Sequence, residues 1–216
     1  MVQIISFPRS GQNLINTLFE KIFSSFDISY TYCSYYQCCK TVPCLHGKIF
    51  QKNHDFDLQL PINPREKYIL LYRNNTIFQL EAFYRYHCKQ NELNTSLEGL
   101  VDFYYKRIDY YNNFIKKWVK SSHPNVFVIE YYHFCENPFP IMKNCLNFLY
   151  PSFVFDYNKL NQILNEEHEV KHGSKLGLVS KRKIGVEHYI DMETYQKIVK
   201  AINMKNKNKN QNDSRK

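Results

Sequence analysis

Short apolar runs alternate with amphipathic stretches along this chain, the pattern of buried strands passing into helices and back. The first run, Val2, Ile4 and Ile5, enters Pro8-Arg9-Ser10-Gly11-Gln12-Asn13 and leaves as an apolar-periodic segment to about Phe23. That predicts strand, tight loop, helix. A second run, Tyr68-Ile69-Leu70-Leu71-Tyr72, is continuously apolar and predicts a buried parallel strand over Lys67–Tyr72, followed by Arg73-Asn74-Asn75-Thr76 and an amphipathic helix through about Tyr86. Leu97 to Lys120 reads as a long helix whose aromatic stripe, including Phe103, Tyr104, Tyr110, Phe114 and Trp118, recurs at core-facing spacing. Asn125 to Ile129 is another strand, and Met192 to Ile202 the last helix. Ser29 to Cys44, rich in Tyr and Cys, has no helical period and is expected to be loop or short strand. Strands and helices alternating in this way predict an α/β fold with a central parallel sheet between helical layers.

Composition narrows the class. With 216 residues, 44% hydrophobic and 16% aromatic, the chain can bury a core without disulfides. One domain is expected over residues 1–204. The net charge of +9 looks like a nucleic-acid signature until it is located. Lys205, Lys207, Lys209, Arg215 and Lys216 stand against Asp213 alone in an Asn/Lys-rich tail, residues 205–216, that has almost no apolar side chains and is expected to be disordered. The remaining excess suits an anionic small molecule as well as it suits RNA, and nucleic acid is expected to bind only weakly, through the tail. The start of the chain has no basic leader and no stretch reaches about 20 apolar residues, so a cytoplasmic protein without a membrane span is expected. Seven cysteines, an odd number, then read as thiols of a reducing compartment. Cys33, Cys38, Cys39 and Cys44 lie close together with His46 nearby, but they contain no CxxC pair, and no metal site is expected from the spacing.

The first loop carries the clearest chemistry. Gly11 permits a positive φ and close backbone approach, the helix that follows offers unpaired N–H groups, and Arg9 adds a fixed charge, so the segment can hold a phosphate. It lacks the Gly-Lys-Ser/Thr ending of the Walker A loop. Lys52-Asn53-His54 sits near a strand end after Ile49-Phe50, and residues two apart in a strand share a face, so Lys52 and His54 can address one site.

The loop resembles the 5′-phosphosulfate loop of sulfotransferases that use 3′-phosphoadenosine 5′-phosphosulfate (PAPS), where Pro-Lys/Arg-Ser-Gly-Thr-Thr follows the first strand. Further matches come in family order: Lys52-x-His54 for the family's Lys-x-His; Arg73-Asn74 for Arg-Asp/Asn-Pro; Tyr131, Asn137-Pro138 and Phe148-Leu149 for the Tyr, Asn-Pro and Phe-Leu of the segment after the next strand; and Lys181-Arg182-Lys183 with Gly185 for the basic-glycine segment. The chain departs from the family pattern in four places. Asn75 replaces the Pro, Glu81 stands where a Ser helps Arg grip the 3′-phosphate, Tyr132 and His133 replace an acidic pair, and no Trp follows Gly185. A carboxylate at a phosphate site is unfavourable at close range.

The resemblance implies a P-loop-NTPase-like sulfotransferase fold and transfer of a sulfuryl group from PAPS to a hydroxyl or amine, with no metal. It implies His54 as general base, and Lys52 and Arg9 stabilising charge. Cofactor contacts are expected from Arg9, Ser10, Gly11, Gln12 and Asn13, from Arg73 and position 81 (Glu81), from Tyr131 near the adenine, and from Lys181, Arg182 and Lys183. The acceptor, a small molecule or glycan, and the oligomeric state stay open. The Ser29–Cys44 segment reads as a packed aromatic flap, or alternatively as part of the acceptor pocket. Two other readings stand beside this one. A P-loop-type nucleotide kinase or hydrolase requires a Mg²⁺-binding carboxylate, for which Asp55 and Asp57 are available; a catalytically silent nucleotide- or RNA-binding relative would follow if Glu81 spoils the cofactor site.

Overall fold

The computed structural model describes residues 1–171, 179–184 and 191–213, with backbone alone for 171, 179–183 and 206–213. Where composition suggests one domain, the chain packs as two compact units, Met1–Tyr72 with Phe114–Glu187, and Arg73–Asn113 with His188–Lys216.

The first unit is built on five parallel strands: β1 (Val2–Ser6), β2 (Tyr32–Cys33), β3 (Phe50–Asn53), β4 (Lys67–Tyr72) and β5 (Val126–Glu130), in the spatial order β2-β3-β1-β4-β5. Every residue of β1 is buried, because it is hydrogen-bonded on both sides and covered on both faces. Helix α1 (Gln12–Ser25) turns Leu14, Ile15, Leu18, Phe19, Ile22 and Phe23 onto the sheet. The core also takes Phe50, Ile69, Leu71 and Ile129 from the strands, and Met142, Cys145 and Leu146 from α5 (Pro138–Leu149). Two elements here carry no clear signal in the apolar pattern. Tyr131, expected at a strand end, instead opens a short helix, α4 (Tyr131–Glu136), whose first turn is capped by the Glu130 carboxylate accepting from the His133 N–H. Beyond α6 (Tyr157–Asn165), capped by Asp156, lies an antiparallel pair, β6 (Glu167–Lys171) and β7 (Val179–Lys183). The segment Lys181-Arg182-Lys183 is therefore a strand rather than a loop, with Lys183 opposite Glu167 and Lys181 opposite Glu169 in register.

The second unit holds α2 (Thr76–Gln90), the body of α3 (Leu97–Phe114) and α7 (Met192–Asp213). Tyr84, Cys88, Leu100, Val101, Phe103, Ile198 and Ile202 form its core. Asp191 caps α7 through the N–H and hydroxyl of Thr194. The α7 backbone continues to Asp213, into the stretch whose composition predicts disorder; once a helix is nucleated by packed residues such as Ile198, each added residue costs little. Among the described residues no helix is long and apolar enough to cross a membrane.

The long helix predicted to Lys120 ends as α at Phe114 and finishes in a π-helical turn, Ile115–Val119. The wider turn brings two consecutive side chains to one buried acceptor: Lys117 Nζ and Trp118 Nε1 reach Asp55 Oδ2 at 2.6 and 2.8 Å. Lys117 also donates to the carbonyls of Leu58 and Leu60, and the Leu60 N–H returns to Asp55 Oδ1. Asp55 thus holds the 55–60 segment, whose irregular backbone includes Asp55 and Leu58 at positive φ. Asp55→Ala is expected to lower unfolding free energy by about 3–5 kcal/mol, since it leaves a cation and an indole N–H without their buried partner. Asp57→Ala, at an exposed position, is expected to change it little; urea denaturation of the two variants compares them.

Candidate functional site

The residues singled out by sequence converge in part at the C-terminal ends of β1 and β3. In a parallel sheet this is the edge where loops gather and ligands bind. The register Ile5↔Asn53 sets the next residues of the two strands, Ser6 and His54, side by side. His54 Nδ1 lies 2.8 Å from the Ser6 carbonyl oxygen and 3.0 Å from Ser6 Oγ. A carbonyl only accepts, so Nδ1 carries the hydrogen and the lone pair is on Nε2. Burial lowers the His54 pKa to about 4, the Lys52 charge lowers it too, and the Ser6 hydrogen bond only partly offsets them. At neutral pH His54 is a free base with a defined tautomer.

Lys52 is itself perturbed. Burial and then the Arg9 charge lower its pKa to about 8, so two cations are held close enough to repel. Arg9 sits in a left-handed conformation, φ 72°, at the tip of the loop that joins β1 to α1. Gly11 follows at φ 83° as the N-terminal cap residue of α1, whose first turn has no side-chain cap. Only glycine suits position 11: besides the backbone angle, a Cβ there would lie 2.1 Å from Tyr131 Cε2. The loop amides are not equivalent. The Ser10 N–H turns back to the Phe7 carbonyl, while α1 opens at Gln12 and Asn13, the usual place for an anion. The Gln12 side chain donates to the Ile4 carbonyl at 2.6 Å, so it ties the loop to β1 and leaves Gln12 a backbone role. Tyr131 is buried, 2% exposed, with its ring packed against Gly11.

The remaining candidates come from other elements. Arg73 directly follows β4 and begins the second unit, where its carbonyl accepts from the Tyr111 hydroxyl at 2.7 Å. Asn75, in the place of the family's Pro, caps α2, accepting from the Ile77 and Phe78 N–H groups at 3.1 Å. Glu81 is 8% exposed and ion-paired with Arg85 one turn on, so its charge is matched within α2. Lys181, Arg182 and Lys183 are placed by their backbone in β7, and Gly185 lies outside the described residues. Asp55, the first carboxylate available to a Mg²⁺-dependent alternative, is engaged by Lys117, Trp118 and Leu60, and Asp57 caps its own turn through the Gln59 N–H.

Beside Lys52 and His54 lies a cavity of about 340 Å³, lined also by Tyr35, Tyr36, Val42, Phe56 and Leu60. The Tyr- and Cys-rich segment therefore forms a wall of this pocket.

Solved structures share this architecture. Mouse sulfotransferase SULT7A1 complexed with PAP superposes with a TM-score of 0.58 at 17% identity, covering 75% of this chain and 62% of that one. Retinol dehydratase matches in a complex with retinol and PAP, with a TM-score of 0.56 at 14% identity over 94% of this chain and 80% of that one. The chain has the sulfotransferase fold. A retinol dehydratase complex with androsterone and inactive cofactor PAP gives 0.54 at 15% identity, and there, as in the mouse enzyme, the matched part spans 62% of the other chain's length. No family model and no curated protein matches the sequence.

The His54 assignment is open to direct measurement. ¹H–¹⁵N NMR of the imidazoles is expected to show one histidine as the neutral Nδ1–H tautomer, protonating only near pH 4. Lys52→Met removes a neighbouring positive charge and is expected to move that midpoint upward, toward the ordinary imidazole value.

Proposed function

We propose that this chain is a sulfotransferase that moves a sulfuryl group from PAPS to the hydroxyl, or amine, of a small acceptor. The observation that carries the reading is the electrostatic arrangement of Arg9, Lys52 and His54: two mutually repelling cations beside an uncapped helix N-terminus, next to an imidazole kept neutral. An anion among these groups relieves the Arg9–Lys52 repulsion and meets the positive end of α1. The sulfotransferase fold, seen in structures that contain PAP, supports the same ligand class.

The residues then divide the work. PAPS supplies an electrophilic sulfuryl group on a phosphate leaving group. The acceptor oxygen bonds to sulfur as the bond between sulfur and the bridging phosphate oxygen breaks, and His54 Nε2 takes the acceptor's proton. Lys52, Arg9 and the amides at the start of α1 stabilise charge on the sulfuryl and departing phosphate oxygens. Arg9, always protonated, holds charge but donates no proton. Arg73 is assigned to the 3′-phosphate, and the Glu81–Arg85 pair removes the unbalanced carboxylate that position 81 otherwise presents. The pocket beside His54 is assigned to the acceptor; its volume of about 340 Å³ and its Tyr35, Tyr36 and Phe56 walls suit a small molecule with an apolar or aromatic body.

Calorimetric titration with adenosine 3′,5′-bisphosphate, against AMP and Mg-ATP, tests the donor site. Selective binding of the bisphosphate is expected, weakened roughly 10- to 100-fold in Arg73→Ala; preference for Mg-ATP would instead support a nucleotide kinase or hydrolase. On an identified acceptor, His54→Ala is expected to lower kcat by about 10²- to 10⁴-fold. Full turnover by that variant would remove His54 as the base.

The same assignments fix the pH dependence. His54 must be neutral, so kcat/KM rises with pH through about 4; Lys52 must be protonated, so it falls as pH rises through about 8. A bound anionic donor favours protonated Lys52, so the upper limb is expected to move to higher pH in kcat.

A further inference from the structure

We propose that Cys33, Cys38, Cys39 and Cys44 form a structural zinc site that fastens the wall of the pocket beside His54. The sequence offers no CxxC pair, yet folding gathers four thiols whose sulfur atoms all lie within 4.8 Å of one another. Three separations are known closely: 3.9 Å for Cys33 and Cys39, 3.8 Å for Cys38 and Cys44, and 3.6 Å for Cys39 and Cys44. Four sulfurs at Zn–S distances of about 2.3 Å in a tetrahedron stand about 3.8 Å apart. The match is to the edge of that tetrahedron. Two disulfides would instead contract two of the separations to about 2 Å and leave the others long.

The surroundings suit thiolates bound to a cation. The Thr41 hydroxyl donates to Cys39 Sγ at 3.1 Å, and His46 Nδ1 lies 3.3 Å from Cys38 Sγ. Backbone N–H groups of Tyr35 and of Thr41 and Leu45 serve Cys33 and Cys39. Such outer donors hold metal-bound thiolates in place. Binding Zn²⁺ to four thiols releases four protons and leaves a net charge of −2; from Ser29 to His54 the chain has no carboxylate, while Lys40, Lys48 and Lys52 are present to balance it. All-sulfur ligation in a tetrahedron selects Zn²⁺ over the oxygen-seeking Mg²⁺ and Ca²⁺. With four protein ligands the metal has no open position, so its role is structural.

Placement gives the site its consequence. Ser34, Tyr35, Tyr36 and Val42, which line the pocket, all lie between the first and last of the four cysteines. Two-residue β2 is the only regular strand in that segment, and Cys33 and Cys44 are buried while Cys38 and Cys39 are half-buried. A metal cross-link holds a wall that backbone pairing alone holds weakly. The inference is independent of the reaction carried out in the pocket.

The full chain, expressed with Zn²⁺ and purified anaerobically under reduction, is expected to carry one zinc per chain, released by a mercurial in step with thiol titration. Replacement by Co²⁺ is expected to give the intense visible absorption and sulfur-to-metal charge transfer of a tetrahedral tetrathiolate. Cys38→Ser and Cys39→Ser, at the half-buried positions, are expected to lose stoichiometric zinc, and Thr41→Val to weaken it by roughly 10-fold or more. Cys88→Ala, in the other unit, is expected to keep it. Zinc removal is expected to make the 34–46 segment protease-sensitive. A natively folded chain that takes up neither Zn²⁺ nor Co²⁺, that holds iron instead, that is isolated with these cysteines in disulfides, or whose Cys38→Ser variant binds zinc unchanged overturns the proposal.

Discussion

The parallel register between β1 and β3 is the constraint on which the site depends. Because Ile5 pairs with Asn53, the residue leaving each strand, Ser6 and His54, meets the other at the sheet edge. A slip of one residue would turn the His54 side chain to the opposite face and leave the Ser6 carbonyl without this partner. The same hydrogen bond fixes which imidazole nitrogen keeps the lone pair. Register, a backbone property, thus becomes a chemical one. β1 tolerates no such slip, since all five of its residues are buried and it is paired on both sides.

Around this register the structure concentrates positive charge. Arg9 reaches its position only because the loop passes through left-handed conformations at Arg9 and Gly11, and Gly11 is pressed so closely by Tyr131 that no larger residue fits. Lys52 comes from the neighbouring strand and shares the field. A non-glycine residue at positive φ, as Arg9 is, costs stability. Three polar groups close in sequence to the candidate motifs are matched: Asp55 is surrounded by donors, Asn75 satisfies the first turn of α2, and Glu81 has Arg85. At positions 75 and 81, where the chain differs from the sulfotransferase motif it resembles, the side chains are matched locally. Each has a partner inside α2.

The wall of the pocket follows a different logic from its floor. Lys52 and His54 stand at the end of a paired strand, whereas Tyr35, Tyr36 and Val42 belong to a segment with almost no backbone pairing. Rings alone hold such a segment loosely, because each ordered residue costs conformational entropy that a two-residue strand does not repay. Four convergent thiols supply what the strand lacks.

By itself the sequence determined the strands β1, β4 and β5, the loop at Arg9 to Gly11, the pairing of Lys52 with His54 on one strand end, and the α/β class, because continuous apolar runs and 3.6-residue periodicity are local signals. It also carried the resemblance to sulfotransferases, spread over short motifs in order, which the fold shares. Only tertiary structure decided the rest. Whether Gln12 faces a ligand or β1, whether Asp55 is a metal ligand or a buried anchor, and whether Glu81 repels a phosphate or pairs with Arg85 depend on neighbours that periodicity does not name. The Lys181–Lys183 strand was hidden because its apolar pattern is weak and its stability comes from a partner, β6. The cysteines show the limit most plainly: a Cys-x₄-Cys-Cys-x₄-Cys spacing looks unlike a metal motif in one dimension, and becomes a tetrahedron only when the chain curls through left-handed turns at Tyr35 and Lys40.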